Sequence, residues 1–178
     1  MRITNIFDAV RDGTYFDFMD FYSGNPNLFN KYAGMSLLQL AVVNDRCPDE
    51  KIKMIQFLID EGADVNFLSP KDQRNALHIF YFSVLRPQPQ YMYKVTQLLM
   101  DAGVDINQKD KYGAIPLQYA ITVVKQPTEA ILPVVQVLMD HGSHIHEKDS
   151  FGKTCLDYAR EFSWRKDLIP LMEGKNTF

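Results

Sequence analysis

The 178-residue sequence is poor in cysteine, with Cys47 and Cys155 alone, and holds a single tryptophan. Two thiols cannot build a disulfide framework, and their scarcity fits a reducing compartment. Long runs of one charge are missing: 19 Lys and Arg stand against 22 Asp and Glu, a formal net charge of −3. A surface that grips nucleic acid shows as a basic patch or stripe, so nucleic acid is disfavoured as a partner. Long apolar runs are missing too. The most apolar stretch, Ala130 to Met139, is about half of what a bilayer requires and contains Pro133 and Gln136. The N-terminus meets Asp8, Arg11 and Asp12 before an apolar run develops, which argues against a secretory signal peptide. The expectation is a cytoplasmic protein without a membrane partner.

Catalytic signatures are equally scarce. The sequence has no phosphate-cradling glycine loop, no nucleophile elbow and no paired-histidine zincin pattern. Cys155 has no His or carboxylate partner that the sequence assigns, so a reactive thiol is unsupported. His141, His144 and His146 cluster beside Asp140, Glu147 and Asp149, and alternate residues of an extended segment could reach one ion. Their spacing matches no zinc pattern and no cysteine joins them. No metal, cofactor or catalytic residue is expected, and a metal- or thiol-dependent enzyme is the remote alternative.

What the chain does have is an ordinary apolar fraction of 46% and internal repetition. Gly34-Met35-Ser36-Leu37-Leu38-Gln39-Leu40-Ala41 recurs as Gly113-Ala114-Ile115-Pro116-Leu117-Gln118-Tyr119-Ala120 and as Gly152-Lys153-Thr154-Cys155-Leu156-Asp157-Tyr158-Ala159. A poorer copy is Gln73-Arg74-Asn75-Ala76-Leu77-His78-Ile79-Phe80. A second marker follows in register: Phe57 to Asn66 recurs as Leu98 to Asn107 and again as Val137 to His146. The N-terminal stretch around Ala9 to Gly13, with Phe18, Phe21 and Tyr22, reads as a half-masked first copy. Ser36-x-x-Gln39 is a capping box, with Thr154-x-x-Asp157 and Asn75-x-x-His78 as weaker forms. Pro116 suits a first helical turn, and the glycines at 62, 103 and 142 suit left-handed helix C-caps. Ile52, Ile55, Leu58 and Ile59 share one helical face, which a single unit cannot bury without neighbours.

These paired markers resemble the ankyrin-repeat family, and the resemblance covers nearly the whole chain. It implies an all-α solenoid of about five helix-turn-helix units with short β-hairpin fingers, one domain over 1–178. The units fall at about 1–30, 31–70, 71–109, 110–148 and 149–178. His78 fills the family's own histidine slot, where it braces the turn. The leucines at 38, 77, 117 and 156 step by 39, 40 and 39 residues, where the family's repeats step by about 33. The excess falls between the two helices of each unit, beside Pro48, then Pro87 and Pro89, then Pro127. Either the outer helix is longer or loops line one edge. The third unit departs most: Gln73 replaces the turn glycine, and Phe80 and Tyr81 replace two alanines that let helices approach. The stack should widen there, or the neighbours should shrink.

In the family, partners lie against the finger tips and inner helices. Carried across, that face presents Tyr32, Phe82, Tyr112, Phe151 and Phe162, with Lys71, Arg74, Lys111 and Lys153 interleaved. Aromatic and cationic side chains in one stripe match the composition of protein hot spots and imply a partner with an acidic surface. The expected function is non-catalytic protein binding, with a structural or self-assembling element as the alternative. A compact protein with lengthened repeats also resembles bacterial ankyrin proteins, some of which are antitoxins or immunity proteins, so the partner implied there is a toxin or effector. Replacing Tyr112, Phe151 and Arg74 by Ala should abolish capture while leaving thermal unfolding almost unmoved.

Overall fold

A computed structural model of the protein describes residues 2–174; residue 1 and residues 175–178 of the expected domain lie outside the described residues. The described chain is mostly helical. In order come α1 (Ile6–Asp12), α2 (Tyr15–Phe21), β1 (Phe29–Asn30), β2 (Met35–Ser36), α3 (Leu37–Val42), α4 (Pro48–Asp60), α5 (Ala76–Ser83) and α6 (Pro89–Asp101). Then follow α7 (Pro116–Thr122), α8 (Thr128–Asp140), α9 (Cys155–Glu161), a 3-10 helix (Ser163–Leu168) and α10 (Ile169–Met172). The two strands form an antiparallel pair, Phe29 opposite Ser36 and Asn30 opposite Met35. Among the described residues no helix is long and apolar enough to cross a membrane.

Helices α3 and α9 begin where a capping side chain supplies the missing backbone partner. The Ser36 hydroxyl accepts from the Gln39 N–H, and the Gln39 amide oxygen accepts from the Ser36 N–H, both at 3.2 Å. Thr154 and Asp157 make the same reciprocal pair at 2.9 and 3.1 Å. Ile115 has no capping oxygen, so α7 relies on Pro116 in its first turn and on Gln118, whose oxygen accepts from the Ile115 N–H at 2.9 Å. Gly62, Gly103 and Gly142 end α4, α6 and α8 at φ 87, 86 and 85°, a region that costs other residues about 1 kcal/mol or more. The lengthened spacing becomes helix: α4, α6 and α8 are each 13 residues long and start at or just after Pro48, Pro89 and Pro127.

The short helices α1, α3, α5, α7 and α9 pack side by side in chain order. The seven-residue α2 and the longer α4, α6 and α8 form a second row behind them, closed by the 3-10 helix. The fifth residue of α3, α7 and α9 is alanine (Ala41, Ala120, Ala159), fully buried where neighbouring helices approach. In α5 that position is Phe80, equally buried, followed by Tyr81. The neighbour accommodates them. Where α4 and α8 carry Ile55 and Val135, α6 carries Thr96, whose hydroxyl lies 2.7 Å from the Tyr81 phenol.

Two buried cations close the ends of the inner row. Lys51, on α4, sits among apolar positions, and its Nζ donates to the Val10 and Arg11 carbonyls at 2.5 Å each. Those carbonyls end α1, where helix-terminal oxygens lack partners, and burial pushes Lys51 down to about 8. Arg165 does the same for the end of α7, donating to Ile121 O and Gln126 O at 2.9 Å and to Val124 O.

Candidate functional site

The loops that precede the short helices present the aromatic residues read from sequence. In the loops before α3, α7 and α9 an Asp or Asn side chain folds the backbone under itself, and before α5 the Ser69 hydroxyl accepts from the Arg74 N–H at 3.2 Å. The Asn30 oxygen accepts from the Tyr32 and Ala33 N–H groups at 3.0 Å. Asp110 Oδ1 accepts from Tyr112 and Ala114 at 2.9 and 3.0 Å, and Asp149 Oδ1 from Phe151 and Lys153 at 2.9 and 3.1 Å. The turn then closes through a left-handed residue: Gly34, Gly113 and Gly152, and in the third loop Gln73 at φ 55°. Tyr32, Tyr112 and Phe151 sit at the tips, 91%, 40% and 70% exposed. Neighbouring loops are tied by the backbone, Lys111 N–H to Asp72 O at 3.0 Å and Ser150 N–H to Tyr112 O at 2.8 Å.

Three of the four cations of the stripe are paired. Lys111 pairs with Asp72 and Lys153 with Glu161. Lys111 also lies 4.9 Å from the Tyr112 ring centre, and its bond to Asp72 holds that carboxyl below its ordinary value. Lys71 is exposed. Arg74 differs from the expectation altogether: it is buried, and the reason is a partner far away in sequence. Its Nε is 3.2 Å from Asp110 Oδ2, one Nη donates to the Tyr119 oxygen at 2.8 Å, and the Tyr119 hydroxyl donates to Asp110 Oδ2 at 2.6 Å. The guanidinium lies 4.1 Å from the Phe82 ring centre and 4.8 Å from that of Tyr119. Arg74 is a structural plug at this point, not a side chain offered to a partner.

Tyr112, Phe151 and Phe162 do come together. With Ala114, Gln118, Tyr119, Thr122, Asp149 and Tyr158 they line a cleft of about 400 Å³ between α7, α9 and their loops. Phe162 is only half open, stacked on Trp164 at 4.7 Å between ring centres. Phe82 is exposed on α5 with its ring edge-on to Tyr119. The Tyr158 hydroxyl donates to Asp149 Oδ2 at 2.6 Å; burial, then this bond, pushes the phenol above its ordinary value. Tyr32 is not part of the cleft.

Sequence reasoning missed Asp110, Tyr119, Asp149 and Tyr158. The signal was present: a Tyr nine residues after a loop Asp, twice. The histidines at the far ends of the loops take separate roles. His141 Nδ1 is 2.7 Å from Val137 O at the end of α8, and His144 Nδ1 is 3.0 Å from Glu147. Among the described residues no group of three or more His, Cys, Asp or Glu side chains is placed to hold a metal ion. Burial, with the charge of Asp149 second, pushes the Cys155 thiol up to about 12, so it carries no thiolate near neutral pH. The chain matches no protein-family model, and no curated protein is detectably similar to it.

Proposed function

We propose that the chain is an ankyrin-type repeat solenoid that works without catalysis, holding another protein against its loop tips and short helices. The observation that carries this reading is the row of tip rings, Tyr32, Tyr112 and Phe151, exposed on loops that side-chain turns hold rigid. Large rings at low conformational freedom contribute strongly to protein interfaces. Two recurring joints support the repeat reading. Gln39, His78 and Gln118, each the third residue of its helix, reach the carbonyls of Arg74, Ala114 and Lys153 in the following loop at 2.8, 2.9 and 3.3 Å. Asn27, Asn66 and Asn107 likewise bond forward to the carbonyls of Gly62, Gly103 and Gly142.

The ion pairs of Lys111, Lys153 and Arg74 balance the stripe's charge, so the pull on an acidic partner is weaker than the sequence implies. Two free cysteines, without a disulfide, support a cytoplasmic setting. An inhibitor or immunity protein acting on a toxin or effector is the narrower proposal. Affinity capture from the native lysate with mass spectrometry tests both. The partner caught by the natural chain should be lost when Tyr32, Tyr112 and Phe151 are replaced by Ala, with the melting temperature unchanged. Capture that survives the triple replacement refutes the face.

A further inference from the structure

The cleft has a filled counterpart in the same molecule. Arg74 is the residue immediately before the helix-capping Asn75, and Phe82 is the seventh residue of the helix that follows. Arg74 reaches forward to an Asp–Tyr pair in the next segment: Asp110, five residues before the cap of α7, and Tyr119, the fourth residue of α7. There the guanidinium lies between two rings, and Asp110 Oδ2 takes two donors, Arg74 Nε and the Tyr119 hydroxyl. Asp110 and Tyr119 are buried as a result.

One segment on, the receiving half is repeated and the supplying half is not. Asp149 lies five residues before the cap of α9, and Tyr158 is the fourth residue of α9, joined to it by the same hydroxyl-to-Oδ2 bond at 2.6 Å. The residue before the cap of α7 is Ala114, and the seventh residue of α7 is Thr122. Alanine and threonine stand where arginine and phenylalanine would fill the space, and the cleft of about 400 Å³ is lined by these four residues among others. No cationic side chain lines it. The neighbouring Lys153 is paired with Glu161 and its Nζ lies 5.4 Å from the Tyr158 ring centre, but it makes no ion pair with Asp149. Asp149 Oδ2 holds one donor where Asp110 Oδ2 holds two, and a carboxylate oxygen can accept from both.

We infer that the cleft takes an arginine side chain supplied by the bound protein, seated on Asp149 and the Tyr158 ring as Arg74 is seated on Asp110 and Tyr119. This rests on the reading that a protein is held on this face and names its anchor. A guanidinium fits better than an ammonium because its flat fork stacks on a ring while presenting N–H groups to phenol and carboxylate together. An apolar anchor would cover Asp149 without answering its charge.

The test is an NMR titration of the full chain with Nα-acetyl-arginine methylamide, beside the lysine and norleucine analogues. The arginine compound should give saturable shifts at Ala114, Asp149 and Tyr158 and bind about tenfold more tightly than norleucine. Asp149→Asn keeps the Oδ1 acceptor that folds the loop, yet should weaken binding about tenfold. Ala114→Arg with Thr122→Phe rebuilds the filled arrangement in place and should abolish binding. Norleucine binding as well as arginine, unchanged affinity in the folded Asp149→Asn variant, or no saturable shift would each overturn the inference. Once a partner is in hand, capture retained by the Ala114→Arg/Thr122→Phe variant but lost with the three tip rings would overturn the arginine anchor and leave the face standing. Capture indifferent to the tip rings would sink the face instead.

Discussion

Arg74 is where sequence and structure part most sharply, and its truncation separates them by a large margin. As an exposed member of a binding stripe, Arg74→Ala would leave stability within about 0.5 kcal/mol. In the structure its side chain is 7% exposed and its partner Asp110 is fully buried. Removing one member of a buried ion pair costs about 3–5 kcal/mol, because the other charge is stranded. Asp110 keeps its two backbone donors and the Tyr119 hydroxyl, which places the ionic loss near the lower end. The lost contact with two rings adds about 1 kcal/mol, for a total of about 4. A chain of this size loses about 2–4 °C of melting temperature per kcal/mol. Circular dichroism should therefore show Arg74→Ala melting about 8–16 °C below the natural chain. Adding Asp110→Asn should recover part of the loss, since no stranded charge remains. A shift under about 2 °C would refute the plug and return Arg74 to the surface.

His78 predicts an acid-sensitive fold: it is fully buried, and burial pushes it from 6.5 to about 4. The unfolded chain binds the extra proton first, so stability is complete above about pH 6.5 and falls by about 3 kcal/mol as pH drops to 4. His78→Gln, which copies Gln39 and Gln118, should flatten that part of a urea-unfolding pH profile; coincident profiles would contradict the assignment. Gln73→Gly should raise the urea midpoint by about 0.5–1 kcal/mol of stability, because glycine relieves the left-handed φ of 55° at some cost in unfolded-state freedom. Asn66→Ala removes bonds to Gly103 O and from the Asp105 N–H and should cost about 2 kcal/mol by thermal melting. The same change at His146, three helical segments from Asn27 but without a forward bond among the described residues, should stay within about 0.5 kcal/mol.

Local features were legible because their causes are local. The capping oxygens of Ser36 and Thr154, the glycines after α4, α6 and α8, and the proline-marked starts of the 13-residue helices each depend on residues within a turn or two. Gln73 was also readable as a departure, and it adopts the left-handed backbone of the glycine it replaces. Burial of charge was not legible. Arg74 meets partners 36 and 45 residues away, Lys51 is buried by carbonyls 40 and 41 residues back, and Arg165 by carbonyls about as far. In the sequence all three look like the solvated cations beside them. The tip rings were legible as a set, whereas the cleft depends on small residues, Ala114 and Thr122, which carry no chemical signal of their own.

That last point bears on how such a chain acquires specificity. The position before the cap of α3, α5, α7 and α9 holds Met35, Arg74, Ala114 and Lys153 in turn. Arg74 answers the Asp–Tyr pair ahead of it, and Lys153 turns to Glu161 at the end of the helix it precedes. Ahead of the short side chain at 114, the Asp149 carboxylate has no cationic partner among the described residues, and the Tyr158 ring has the Lys153 ammonium 5.4 Å from its centre. A half-buried carboxylate already stripped of part of its water gains more from an incoming guanidinium than one fully solvated, because less hydration remains to be removed. A pair whose carboxylate lacks a cation, beside one whose carboxylate has it, is thus preorganised for a guanidinium. The inferred anchor would occupy the space that a long side chain at 114 would fill, so the site carries its own internal reference in Arg74.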